Sequence, residues 1–143
     1  MITLSSSASD QTKTLFLIDG SGFIFRSFHA LPPFTRKDGT PINAVFGFTN
    51  LLMSLTNIKA TAMAVMFDSQ GPTFRHHLDE NYKANRTVPP PELISQFALI
   101  YDSAKAFNIP IVMREGYEAD DLIATYTRLG HEAGYRVTIV SSD

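Results

Sequence analysis

Four short, nearly unbroken apolar runs punctuate the chain, at residues 14–18, 62–67, 109–113 and 136–140. Runs of this length, closed by Gly, Ser or Asp, suit strands buried on both faces, as in a parallel sheet. Between them the apolar residues fall at helical spacing. Val45, Phe48, Leu51, Leu52 and Leu55 mark a helix over 44–58, and Leu93, Ile94, Phe97, Ile100, Tyr101 and Ala104 mark a single helix over 92–107. A further helix spans 119–133 and ends at Gly134, and a shorter one over 23–30 is stopped by Pro32-Pro33. Gly47, inside the second of these patterns, costs about 1 kcal/mol relative to Ala and so predicts close approach by another backbone or a ligand. Asn108 stands where a helix stop belongs, and Pro110 near a strand start, where a missing N–H is tolerated. Strands alternating with helices imply βαβ crossovers and an α/β fold: a mostly parallel central sheet flanked by helices.

The residues that close the runs carry the chemistry. The first run ends in Asp19, the second in Asp68, and the last is succeeded by Ser141, Ser142 and Asp143. Open α/β sheets bind ligands at this carboxyl edge. Asp19 alone also reads as a turn residue, since it precedes Gly20. A denser group, Glu118, Asp120 and Asp121, opens the 119–133 helix. Helix N-termini welcome anions, so capping explains that group, and a divalent cation of the oxygen-loving kind explains it too. Six carboxylates from four segments are not expected all to be caps. Acids converging on one edge repel one another unless cations such as Mg²⁺ or Mn²⁺ sit among them.

Composition narrows the classes. The 143 residues make one domain, long enough for a real core. No cysteine is present, which excludes disulfides and thiolate zinc sites and fits the reducing cytoplasm. No apolar run approaches the ~20 residues that span a bilayer, so no membrane role is expected. Residues 1–13 are polar and Ser-rich without an apolar signal-peptide core, and read as a disordered leader. The net charge of −2 excludes a chain that is basic all over but permits a local basic patch.

Such a patch lies at residues 73–91, where apolar periodicity fades. Arg75, His76, His77, Lys83 and Arg86 cluster there with Phe74 and Tyr82. Cations with aromatic rings suit a phosphate backbone and stacked bases. Asp79 and Glu80 keep open the plainer reading of a solvated helix face. The adjacent His76 and His77 would point about 100° apart on a helix and make a poor metal pair. Arg26 and His29 are three apart and share a helix face, His29 reading as a packing residue. Carboxylate-held ions beside such a patch point to two-metal hydrolysis of nucleic-acid phosphodiesters. No G-x-x-x-x-G-K-[ST] loop argues for an NTPase, and Ser21 stands where an aspartyl-phosphate phosphatase would need a second Asp.

The runs Leu17-Ile18-Asp19-Gly20-Ser21-Gly22-Phe23, Val65-Met66-Phe67-Asp68, Phe74-Arg75, Tyr82-Lys83-Ala84-Asn85-Arg86 and Gly116-Tyr117-Glu118-Ala119-Asp120-Asp121 resemble the 5′-nuclease domain of bacterial DNA polymerase I. That domain belongs to the flap endonuclease superfamily with its PIN-like fold, and the resemblance covers 14–143. It implies that Asp19, Asp68, Glu118 and Asp120 surround a first metal ion, with Asp121 and Asp143 toward a second. It implies a helical arch at about 73–91 whose Lys83 and Arg86 contact and polarise the scissile phosphate, with Tyr82 stacking on a base. Arg26 matches a basic residue beside the phosphate path, and Arg75 falls within a motif of the same DNA-binding surface. The activity implied is removal of nucleotides from DNA 5′ ends and cutting of 5′ flaps in primer removal and repair. The resemblance leaves open whether a polymerase domain follows in the full-length protein. The family pattern continues past Asp143 with a Lys-Asp pair and a duplex-gripping element, so the expectation is an N-terminal half, incomplete at its C-terminus. Its first metal site would form, its second would be incomplete, and cleavage by the chain alone is in question. Two rival readings stand beside this one: a PIN-type ribonuclease, and a non-catalytic fragment that binds nucleic acid or a partner through an unfinished sheet edge.

Overall fold

The computed structural model describes residues 12–69, 79 and 89–142. Within them lie four strands, β1 (Lys13–Asp19), β2 (Ala62–Met66), β3 (Ile111–Val112) and β4 (Tyr135–Val140). Five helices accompany them: α1 (Gly20–Ala30), α2 (Asn43–Thr56), α3 (Pro91–Ile94), α4 (Phe97–Ala106) and α5 (Ala119–Glu132). All strand pairs are parallel and the order is β3-β2-β1-β4. The chain steps outward from β1 to β3, then returns to place β4 on the other side of β1. The strand order therefore reverses between β1 and β4, which makes their carboxyl ends the switch point of the sheet.

Successive residues of β1 face opposite sides, as pleating requires. Phe16 and Ile18 join Val65, Phe67, Ile24, Phe48, Leu52, Leu93 and Ile100 in the larger core, under α1, α2, α3 and α4. Leu17 and Met66 face α5, meeting Ala119, Leu122 and Ile123. One helix thus covers what four cover on the other side. On the α5 side Ile139 of β4 stays 51% exposed. No helix among the described residues is long and apolar enough to cross a membrane.

Several boundaries differ from the sequence pattern. Lys13 belongs to β1 rather than to a leader, while residues 1–11 lie outside the described residues. The first helix begins at Gly20, not at residue 23, because Asp19 caps it. The strand expected over 109–113 shortens to Ile111–Val112, with Pro110 contributing only its carbonyl, to Val65 N–H at 2.9 Å. Asn108 does stop the preceding helix, in the left-handed region at φ 58°. Gly47 meets a close approach as expected, from the side chain of Ser27 rather than a backbone or ligand. A Cβ there would stand 2.5 Å from Ser27 Oγ, so α1 and α2 can touch only at a glycine.

The expected single helix over 92–107 is broken. Ser95 and Gln96 separate α3 from α4, and the Gln96 side chain is fully buried. Its Oε1 accepts the Val45 N–H at 3.1 Å, capping α2, which has no cap of its own. Its Nε2 donates to Asn43 Oδ1 and to Glu92 O, each at 2.9 Å. Asn43 Nδ2 donates in turn to Phe28 O at 3.0 Å. Buried polar side chains persist only when satisfied, and here three helices satisfy one another.

Candidate functional site

The carboxyl edge of the sheet is built by short-range rules. Asp19 ends β1, and its Oδ1 accepts the Gly22 N–H at 3.1 Å, the role of an N-cap that holds the first turn of α1. Gly22 is required there by space: a Cβ would come within 2.6 Å of Asp19 Oδ2 and 3.2 Å of Ser142 Oγ. Ser21 in the same turn accepts the Asp68 N–H at 2.8 Å. Asp68 Oδ1 accepts the Ala119 N–H at 2.7 Å, a charged acceptor at the N-terminus of α5. Glu118 is the N-cap of that helix, and Asp121 Oδ2 accepts its backbone N–H at 3.0 Å in a capping box.

Capping accounts for more of these acids than expected, four of the six, while Asp120 caps nothing and Asp143 lies outside the described residues. Asp19, Asp68, Glu118 and Asp121 each engage a helix N-terminus. The caps fall near one another because the strand ends and helix starts that need anions lie along one rim. Asp19 and Asp120 line a single depression of about 500 Å³ at the switch point, with Ser141, Thr127 and Ile139. Asp120 is exposed and makes no hydrogen bond or ion pair among the described residues. Asp68 opens instead into a neighbouring cavity of about 360 Å³, lined by Ser21, Phe25, Phe67, Phe97 and Tyr101. Asp121 lines a third, beside Tyr117 and Arg114. Asp143, Arg75, Tyr82, Lys83 and Arg86 lie outside the described residues. Arg26 reaches the rim, where Nη1 donates to Ser142 O at 3.3 Å. His29 stays on the surface with its ring edge-on to Phe28.

Among the described residues no three acids or histidines stand close enough to ligate one ion. The switch-point depression nevertheless has the right donors for a hard cation, namely two carboxylates and two hydroxyls, with no sulfur or imidazole. Mg²⁺ is commonly held by one or two carboxylates and keeps several waters. Elsewhere the chain neutralises an exposed acid with a neighbour. Asp38 lies 2.9 Å from the Arg36 guanidinium, and the Thr40 backbone N–H, its hydroxyl and that arginine hold the Asp38 carboxyl below the usual range. Asp120 has no such cation among the described residues. Sequence reasoning missed Asn43, Gln96 and the hydroxyl of Ser21; Ser21 alone carried a local signal, its place directly after Asp-Gly.

A parallel α/β sheet with acids from its first strand and last helix at the switch point defines an α/β domain with an acidic, cation-suited rim. Residues 14–143 match the family described as 5′-3′ exonuclease, N-terminal resolvase-like domain, and the chain belongs to that family. It is 56% identical over 138 residues to a DNA polymerase I of Rhizobium leguminosarum, an alignment covering 90% of this chain and 14% of that one. To a 5′-3′ exonuclease of Aquifex aeolicus it is 39% identical over 132 residues, covering 92% of this chain and 46% of the relative. In fold it is similar to a T5 protein co-crystallised with metal ions, at TM-score 0.65 and 21% identity, over 92% of this chain and 49% of that structure. The bacteriophage T5 flap endonuclease in a pseudo-enzyme–product complex with DNA and metal ions matches at TM-score 0.56 and 24% identity, over the same shares. The chain thus spans about half or less of each of these four proteins.

Proposed function

We propose that this chain is the acid-bearing part of a domain that hydrolyses DNA phosphodiesters from 5′ ends and at 5′ flaps, in primer removal and repair. The observation that carries the reading is the shared depression of Asp19 and Asp120, brought from distant segments to the switch point. In this reading Asp19, Asp68, Glu118 and Asp120 hold a first Mg²⁺, and Asp121 and Asp143 serve a second. Divalent ions there supply an activated water and stabilise the leaving oxygen. The protein's own part is positional. Backbone amides of α1 and α5 fix one oxygen each of Asp19 and Asp68, so these carboxylates are oriented before any ligand arrives. Lys83 and Arg86 contact the scissile phosphate, Tyr82 stacks on a base, and Arg26 and Arg75 lie along the backbone path. The same reading assigns these groups to a helical arch at about residues 73–91, allows a polymerase domain in the full-length protein, and sets the work in the cytoplasm. Support for the polymerase comes from relatives named DNA polymerase I.

A fluorescent 5′-flap DNA assay with Mg²⁺ on the full-length nuclease domain tests this. Cleavage is expected to require Mg²⁺ and to fall at least about 100-fold in Asp120→Ala, more than loss of an outer-shell partner costs. Cleavage that survives that substitution, or that prefers single-stranded RNA to flap DNA, would overturn the proposal.

A further inference from the structure

We infer that Ser21 is a positioning residue for the Asp19–Asp120 pair, acting through Asp68; this rests on reading that rim as a metal site. The β1–β2 ladder ends at Asp19 and Met66; beyond it Phe67 N–H still donates to Val112 O of β3 at 3.1 Å, and the next amide, that of Asp68, is held by Ser21. Its hydroxyl accepts the Asp68 N–H, and Asp68 Oδ1 accepts the Ala119 N–H, one residue before Asp120. A three-segment relay of hydrogen bonds therefore runs from the turn after Asp19, through the end of β2, to the start of α5. Ser69 doubles the second step, its hydroxyl donating to Tyr117 O at 3.1 Å. The turn itself has no room to drift. A Cβ on Gly20 would lie 2.5 Å from the Phe67 ring and 2.9 Å from Met66 O. Without the hydroxyl, Asp68 N–H loses its acceptor, and the turn after Asp19 is tied to the start of α5 only through the β1–β2 ladder.

The chain itself, with Ser21→Ala, Ser21→Thr and Thr14→Val, is titrated with Mn²⁺ by calorimetry and followed by amide hydrogen exchange. Thr14→Val serves as control because it removes a similar tie between the same strands at their other ends. Ser21→Ala is expected to weaken Mn²⁺ binding about tenfold or more, the range for loss of an outer-shell partner, and to speed exchange at Ala119. Ser21→Thr restores both, and Thr14→Val leaves both unchanged. Equal Mn²⁺ affinity in Ser21→Ala and the parent overturns the inference alone. So does equal loss in Thr14→Val, which would mark a general softening, and so does unchanged exchange at Ala119. A parent chain that binds no Mn²⁺ overturns the metal reading beneath it.

Discussion

The strands β1 and β2 are tied at both ends, and the two ties differ in kind. At the amino end Thr14 N–H donates to Thr61 Oγ1 at 2.9 Å and Thr61 N–H donates to Thr14 Oγ1 at 3.0 Å. The exchange is neutral and reciprocal, and Thr14 is buried. At the carboxyl end the tie passes from Ser21 to Asp68 and on to the amide of another helix, with carboxylates along the way. A reciprocal pair closes on itself and offers nothing to a ligand. An open relay ends in charged groups whose orientation it fixes. The same sheet thus spends its polar groups on cohesion at one edge and on presentation at the other.

The contrast can be broken by substitution. The largest effect is expected from Asp19→Ala, which should remove more than about 100-fold of Mn²⁺ affinity in calorimetry yet cost only about 0.5–2 kcal/mol of stability for the lost cap. Gly22→Ala comes next, since its Cβ would contact Asp19 Oδ2 at 2.6 Å. Displacing that oxygen should weaken Mn²⁺ binding about 10–100-fold while urea unfolding hardly changes. Thr14→Val should do the reverse. It leaves the Thr61 N–H without its acceptor and should lower urea-unfolding stability by about 1–3 kcal/mol, with Mn²⁺ affinity intact. Were Thr14→Val to lower Mn²⁺ affinity as much as Gly22→Ala, the two edges would not be separable.

Local pattern carried most of the frame. Thr14-Leu15-Phe16-Leu17-Ile18 announces a buried strand, and β1 occupies it. The failures share a cause. Gln96 breaks a helix because its side chain bonds Asn43 and Val45, partners 53 and 51 residues away, and no periodicity within a window reports that. At the rim, carboxylates at strand ends were visible, but their engagement with helix N-termini was not. Asp68 caps a helix it does not belong to, so the rule that finds a cap by its position ahead of a helix passes over it. The opposition drawn between caps and ligands came from treating each acid with its own neighbours alone.

Arg26 bonds to a main-chain carbonyl at Ser142, and among the described residues it meets no carboxylate. A carbonyl can orient a guanidinium without cancelling its charge. The full unit of positive potential is therefore carried to a border dense with negative groups. An incoming polyanion would meet attraction there first, at a strength that ionic strength tunes through screening over roughly 8–10 Å.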